Sequence, residues 1–286
     1  MKIKNLFNQK KQTFSFEVFP PKKDSPKESI TKTFDALCAL KPDYISVTYG
    51  AGGSNAGEGT LSLSIEILHK YGITPLPHLT CISTSKDEVM SLITKFKENG
   101  IENVFALRGD ANPNAPAKND FKYANELVSY LKPHGFNITG ACYPEGHIAA
   151  PSLVQDLIYL KQKVDCGTEH LISQLFFDND LFLRFLDKAK KQGIFVPIEA
   201  GIMPVTNKNQ IERMVTLCGA SIPARLSKIL SRYENDPNSL FDAGIEYACM
   251  QIDGLLDAGV DGIHLYTMNN PRVAALISEN VKPRLS

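Results

Sequence analysis

Glu17 stands inside an apolar run, Phe14-Ser-Phe-Glu-Val-Phe19, whose neighbouring rings would strip water from its carboxyl and hold the proton on it toward neutral pH. Such a group suits general acid work, and its competing role is an ion pair in the interior. A second run, Asn103-Val-Phe-Ala-Leu-Arg-Gly-Asp110, stops abruptly at a cation, a glycine and a carboxylate. Arg108 and Asp110 need water, each other or a ligand, and taken alone they also fit an exposed ion pair closing a turn. Other apolar runs end in the same way: Thr48 and Tyr49; His78 and Thr80; Tyr143, Glu145 and His147; Gln174; His264 and Tyr266. Each of these singly fits a structural role, a capped turn or a side chain bonded to a carbonyl. Together they mark a site.

The residue types narrow the chemistry. His78, His147 and His264 come from different runs with no H-E-x-x-H spacing, which argues against metal-assisted hydrolysis. No serine or cysteine at these positions has a paired base and an orienting third group. General acid/base work coupled to ligand binding remains.

The elements that must position these residues alternate strictly. Eight strands are expected at 14–19, 43–48, 75–81, 103–110, 137–143, 170–176, 195–201 and 261–266, each followed by a helix, with extra helical material at 223–233. Period-two geometry puts Ser15, Glu17 and Phe19 on one face of the first strand and Phe14, Phe16 and Val18 on the other. Ser25 before Pro26 reads as the N-cap of the first long helix, which is expected over 26–40. Eight strand–helix units over 286 residues predict a single (β/α)₈ TIM barrel domain, 1–286, with its site at the C-terminal ends of the strands. A doubly wound open sheet is the alternative. Its fingerprint is missing, because Gly50-Ala-Gly-Gly-Ser-Asn55 puts Asn55 where the third glycine belongs, and Glu58 stands where a phosphate loop needs lysine.

Composition excludes other classes. Thirty-one basic and 31 acidic residues balance to zero net charge, so no global field favours nucleic acid or an anionic membrane. No apolar run reaches membrane-spanning length, and Met1 to Thr13 is polar and basic without a signal-like apolar stretch. A cytoplasmic location is therefore expected. The six cysteines are widely spaced and read as buried or incidental thiols.

Nine motifs in order carry a resemblance: Ser-Phe-Glu-Val-Phe-Pro-Pro (15–21), Ser-Val-Thr-Tyr-Gly-Ala (46–51), Pro-His-Leu-Thr-Cys (77–81), Ala-Leu-Arg-Gly-Asp (106–110), Tyr-Pro-Glu-x-His (143–147), Lys-x-Lys-Val-Asp-x-Gly (161–167), Gln-x-Phe-Phe-Asp (174–178), Gly-Ile-x-Pro-Val (201–205) and His-x-Tyr-Thr-x-Asn (264–269). The chain resembles methylenetetrahydrofolate reductases, in length the short bacterial form with a catalytic barrel alone. The resemblance implies an FAD flavoenzyme in which NADH or NADPH reduces the flavin. The flavin in turn reduces 5,10-methylenetetrahydrofolate to 5-methyltetrahydrofolate in the same site, feeding methionine synthesis. It implies Glu17 as the general acid and Asp110 as a carboxylate between flavin and folate. For FAD it implies Thr48, Tyr49, Ala51, His78, Arg108, Gly109, Asp110, Tyr123, Ala124, Tyr143, His147, Asp156 and Lys163; for substrate, Gln174, Gln210 and Thr48. A homo-oligomer is expected, and an accessory electron-transfer partner is compatible with the pattern. The alternatives are a flavin-free folate-binding methyltransferase barrel and a non-catalytic subunit.

The chain departs from the family pattern at several positions. Asn270, then Pro271-Arg272, follow the Tyr-Thr-x-Asn motif where many relatives carry arginine, so Arg272 is a candidate substitute. Tyr159 and Gln162 replace Asn and Arg on the helix expected to face FAD, and Met214 replaces a phenylalanine.

Overall fold

The computed structural model describes residues 1–21, 26–49, 56–82, 84–110, 117–118 and 120–285. Its centre is a closed barrel of eight parallel strands in the order β1 to β8: β1 Thr13–Val18, β2 Tyr44–Val47, β3 Thr74–Thr80, β4 Asn103–Leu107, β5 Asn137–Cys142, β6 His170–Ser173, β7 Ile198–Ile202 and β8 Gly262–Tyr266. The closing pair aligns Ser15 with His264 and Glu17 with Tyr266. The barrel expectation holds, and the open sheet falls with the β1–β8 ladder.

Eleven helices are present among the described residues: α1 Leu6–Gln9, α2 Lys27–Ala39, α3 Ala56–His69, α4 Lys86–Glu98, α5 Ala124–Leu131, α6 Leu153–Asp165, α7 Asn179–Lys191, α8 Lys208–Cys218, α9 Ala224–Arg232, α10 Pro237–Asp257 and α11 Pro271–Val281. Local chemistry sets several starts. Ser85 and Glu88 make a reciprocal capping box on α4, and the Ser152, Asn207 and Asp236 side chains each accept a first-turn N–H of α6, α8 and α10. On α2 the N-cap is Pro26. The expected cap Ser25 lies outside the described residues.

Strand faces follow the period of two. Phe14, Phe16 and Val18 turn outward into the main apolar cluster with Phe34, Leu37, Ile252 and Ile277. Each such side chain, fully buried, contributes roughly 1.5–3 kcal/mol. The strand boundaries differ from expectation where the backbone leaves the ladder. β4 ends at Leu107, since Gly109 adopts φ +81°, a conformation that glycine tolerates without strain. β6 ends at Ser173, leaving Gln174 just past the strand. β7 starts at Ile198 because Pro197 has no N–H to give a ladder, and Phe195 is 80% exposed.

The start of the chain has a role the sequence pattern did not indicate. A short 3₁₀ turn, Ile3–Asn5, leads into α1 and closes the N-terminal end of the barrel. There Asn103 Oδ1 accepts from Ile3 N at 2.8 Å and Asn137 Oδ1 from Lys4 N at 3.0 Å. Ile3 and Leu6 pack with Tyr44, Leu76, Phe105 and Ile172.

Candidate functional site

β1 delivers Glu17 to the C-terminal mouth of the barrel with its side chain about one-fifth exposed, facing His78 of β3. Glu17 Oε2 and His78 Nε2 are 3.6 Å apart, beyond a hydrogen bond, and His78 Nε2 has no hydrogen-bond partner. Burial pushes the Glu17 carboxyl up to about 8 and the His78 imidazole down to about 3. Both groups are therefore neutral near pH 7: a protonated acid faces an uncharged ring. The His78 ring meets Phe105 edge-on, with centroids 4.5 Å apart. Beside Glu17 on β8, Tyr266 Oη donates to the Ser173 carbonyl at 2.7 Å. Gly201 allows this approach, because a Cβ there would lie 2.2 Å from the Ser173 carbonyl oxygen and 2.7 Å from Tyr266 Oη.

The other half of the mouth is built from the ends of β4 and β5 and from α6. Arg108 Nε donates only a long bond to the Gly109 carbonyl, 3.3 Å. The Lys163 ammonium donates to the Ala141 carbonyl, and burial lowers its pKa. Among the described residues neither cation makes an ion pair. Asp156 is buried, accepts from His147 N at 3.2 Å, and has its pKa raised chiefly by burial. The His147 ring stands edge-on to Tyr143 at 4.7 Å, and its Nδ1 accepts from Ala149 N. Burial, then the charge of Arg108, lowers the His147 pKa.

Two cavities open here. One, of about 290 Å³, is lined by Glu17, His78, Asp110, Gln174, Met214, Tyr266 and Met268; the other, of about 430 Å³, by Tyr123, Ala124, Asp156, Tyr159, Gln162 and Lys163. Leu107, Arg108, Ala141, Tyr143 and His147 line both, so the two meet as lobes of one groove. Gly109 lines the inner lobe. Volumes of this order suit a small molecule or cofactor. Two cations with no ion-pair partner among the described residues, beside the Tyr143 and His147 rings, suit an anionic group such as a phosphate.

Most of the expected site residues therefore converge, and some do not. Gln174 reaches the inner lobe, with its Oε1 accepting from Leu175 N at 2.9 Å. Thr48 and Tyr49 are half-buried at the end of β2 and line neither lobe. Gln210, in the first turn of α8, is also partly buried outside both lobes. Ala51 lies outside the described residues. Arg272 stacks its guanidinium over Phe241 at 4.3 Å and lines neither lobe. Glu145 accepts from Ser221 N, which ties it to the α8–α9 connection. His264 is displaced most from its expected place: instead of standing at the rim it is fully buried, bonded through Nδ1 to Ser15 Oγ at 2.7 Å and through Nε2 to Ser46 Oγ at 3.2 Å.

That displacement leads to a polar layer inside the barrel. Glu199 of β7 has no exposed surface. It accepts from Thr13 Oγ1 at 2.6 Å, from Ser15 Oγ at 3.3 Å and from Tyr44 Oη, with His170 Nε2 at 3.5 Å. Burial raises its pKa to about 7, against the lowering effect of the hydroxyl donors, and burial lowers His170 to about 3. The signal for Glu199 was present in the sequence, since it sits in an apolar strand as Glu17 does.

Known proteins resemble this chain over nearly its whole length. The family described as "Methylenetetrahydrofolate reductase" matches residues 2–282. A protein of Pectobacterium carotovorum subsp. carotovorum named 5,10-methylenetetrahydrofolate reductase is 38% identical over 273 residues, spanning 94% of this chain and 90% of that one. An Arabidopsis thaliana protein named methylenetetrahydrofolate reductase (NADH) 1 is 35% identical over 98% of this chain, which spans 50% of the plant protein. A solved structure, an uncharacterized Clostridium thermocellum protein described as binding two copies of 5-methyl-5,6,7,8-tetrahydrofolic acid, shares the fold with a TM-score of 0.68 and 15% identity, covering 99% of each chain.

Proposed function

The chain belongs to the methylenetetrahydrofolate reductase family, oxidoreductases that reduce 5,10-methylenetetrahydrofolate to 5-methyltetrahydrofolate, and from that premise we propose that it works with FAD as carrier and NAD(P)H as donor. The observation that carries this reading is that Glu17, held protonated by burial, opens on the same lobe as Asp110. That lobe is continuous with the groove holding Arg108 and Lys163. Arg108, Tyr143, His147 and Lys163 would hold FAD in that groove, where its chemistry would be hydride transfer between nicotinamide and folate.

The chain's own residues supply the rest. Arg108 and Lys163 are the cations for the diphosphate, and Tyr143 and His147 wall the junction of the lobes. Asp156 lines the outer lobe and holds the His147 backbone through Oδ2, which leaves Oδ1 to face a bound group. Glu17 donates its proton to N10 of the folate as the bond from the bridging carbon to N10 breaks, leaving a cation at N5 and that carbon. Asp110 places a negative charge on the lobe where that cation forms. Gln174 keeps an amide N–H₂ to donate to the pterin, because its oxygen is already engaged by Leu175 N. Met203, Met214, Met268 and Tyr266 give the lobe its apolar and aromatic lining. We read the chain as a cytoplasmic homo-oligomer supplying methyl groups for methionine synthesis.

Purified protein is expected to be yellow, to be bleached by NADH without oxygen, and to be reoxidised by methylenetetrahydrofolate. A colourless protein that takes up no added FAD would overturn the reading. Anaerobic stopped-flow with NADH and NADPH selects the donor. If neither bleaches the flavin but a chemical reductant does, an accessory electron-transfer partner is required.

A further inference from the structure

The turn after β8 departs from ordinary backbone geometry. Met268 and Asn269 are consecutive non-glycine residues at φ +51° and +53°. Asparagine tolerates this left-handed region, but methionine seldom adopts it and is held there by its surroundings. The surroundings are specific. Asn269 Oδ1 accepts from Phe19 N at 3.0 Å, and Asn269 Nδ2 donates to the Phe19 carbonyl at 2.8 Å. Thr267 Oγ1 donates to the Glu17 carbonyl at 2.7 Å and accepts from Asn269 N at 3.2 Å.

The bonds answer a gap in the sheet. The β1–β8 ladder ends at Glu17 opposite Tyr266, and Pro20 and Pro21 have no N–H to extend it. The Asn269 amide therefore acts as one further rung made by a side chain, and Thr267 grips the peptide of Glu17 itself. The same turn brings Met268 onto the lobe beside Glu17.

We infer that Asn269, with Thr267, is a positioning residue for the proposed acid, fixing the Glu17 backbone so that its carboxyl meets the folate in one place. Phe19 and Asn269 are 250 residues apart in sequence, so the clamp exists only in the closed barrel. The inference rests on the reading of Glu17 as the proton donor.

Asn269→Gly separates the clamp from the backbone effect, because glycine accepts the left-handed φ and removes only the amide. The variant is expected to bind FAD and take hydride from NADH within twofold of the wild type. Single-turnover folate reduction should fall at least tenfold. Hydrogen exchange of the Phe19 amide, the only N–H in 19–21, should accelerate at least tenfold whatever the activity. Folate reduction within twofold of the wild type would overturn the inference and leave Asn269 a residue chosen for its backbone alone. If Asn269→Gly does not fold, Thr267→Val decides: a loss confined to the folate step supports the clamp, and an unchanged folate step overturns it. A Glu17→Gln control keeps the two readings apart. If that variant still reduces folate, the acid assignment fails; if it does not and Asn269→Gly is normal, only the clamp fails.

Discussion

Two carboxyl groups, one at the mouth of this barrel and one in its interior, differ most in the hydrogen-bond partners they meet. Glu199 is fully enclosed and Glu17 about one-fifth exposed at the mouth, and burial raises both above the usual carboxyl range, to about 7 and about 8. Glu199 meets three hydroxyl groups, those of Thr13, Ser15 and Tyr44. Among the described residues Glu17 meets none, and the imidazole facing it stays beyond hydrogen-bond reach. A buried carboxyl whose partners are satisfied contributes to holding strands together, whereas one left without partners keeps a proton it can give away.

The largest expected effect tests the reactive member. Glu17→Gln should lower folate reduction by roughly 10²–10⁴-fold, the range for loss of a general acid, while flavin binding and bleaching by NADH persist. Normal turnover of methylenetetrahydrofolate by this variant would place both carboxyls in the structural class. Glu199→Ala tests the other member and should act on stability. Removing the acceptor strands the Tyr44 and Thr13 hydroxyls and leaves a hole, at a cost of about 2–5 kcal/mol in urea unfolding. A loss below about 0.5 kcal/mol would break the contrast.

A third test uses pH. Below about pH 4.5 both carboxyls are protonated folded or unfolded. Above it the unfolded chain ionises while the folded chain holds its protons, so stability falls as pH rises through about 7 for Glu199 and about 8 for Glu17. His78 and His170, pushed down to about 3 by burial, give the opposite arm. Below about pH 6.5 the unfolded chain takes up protons the folded imidazoles refuse, and stability falls toward pH 3. Maximum stability is thus expected between about pH 4.5 and 6.5. Glu17→Gln should flatten only the alkaline arm, gaining on the order of 2–4 kcal/mol relative to wild type between pH 5 and 8. An alkaline arm unchanged in the variant would mean that Glu17 is not held protonated.

The smallest effect concerns charge on the open side of the lobe. Asp110→Asn removes a negative charge without disturbing the ladder, since β4 has already ended at Leu107. Folate reduction should slow by roughly tenfold, about 1.4 kcal/mol of barrier, with the melting temperature unchanged. An unchanged rate would return Asp110 to the role of a turn residue.

Much of this arrangement was legible in the chain. The alternation of apolar strands and amphipathic helices predicted the barrel, and the polar residues after the strands predicted a site at one mouth. Arg108, Tyr143, His147, Lys163 and Gln174 all reach the groove as expected. Two features were hidden because their partners are remote in sequence. The opening segment became the floor of the barrel through Asn103 and Asn137, 100 and 133 residues on, and Asn269 found Phe19 only after the first and last strands met.

The two glutamates divide what each level decides. Phe-Glu-Val at 16–18 and Ile-Glu-Ala at 198–200 are the same pattern, one carboxyl alternating within an apolar strand, and the sequence alone determined that each would stand on the opposite strand face from its two apolar neighbours. Which of them would find hydroxyl partners was decided by closure. The strand register brought Thr13, Ser15 and Tyr44 onto Glu199 across 155 to 186 residues of chain and set a neutral imidazole 3.6 Å from Glu17. The face a side chain takes is a local property of the strand period, while its depth of burial and its hydrogen-bond partners belong to the closed barrel.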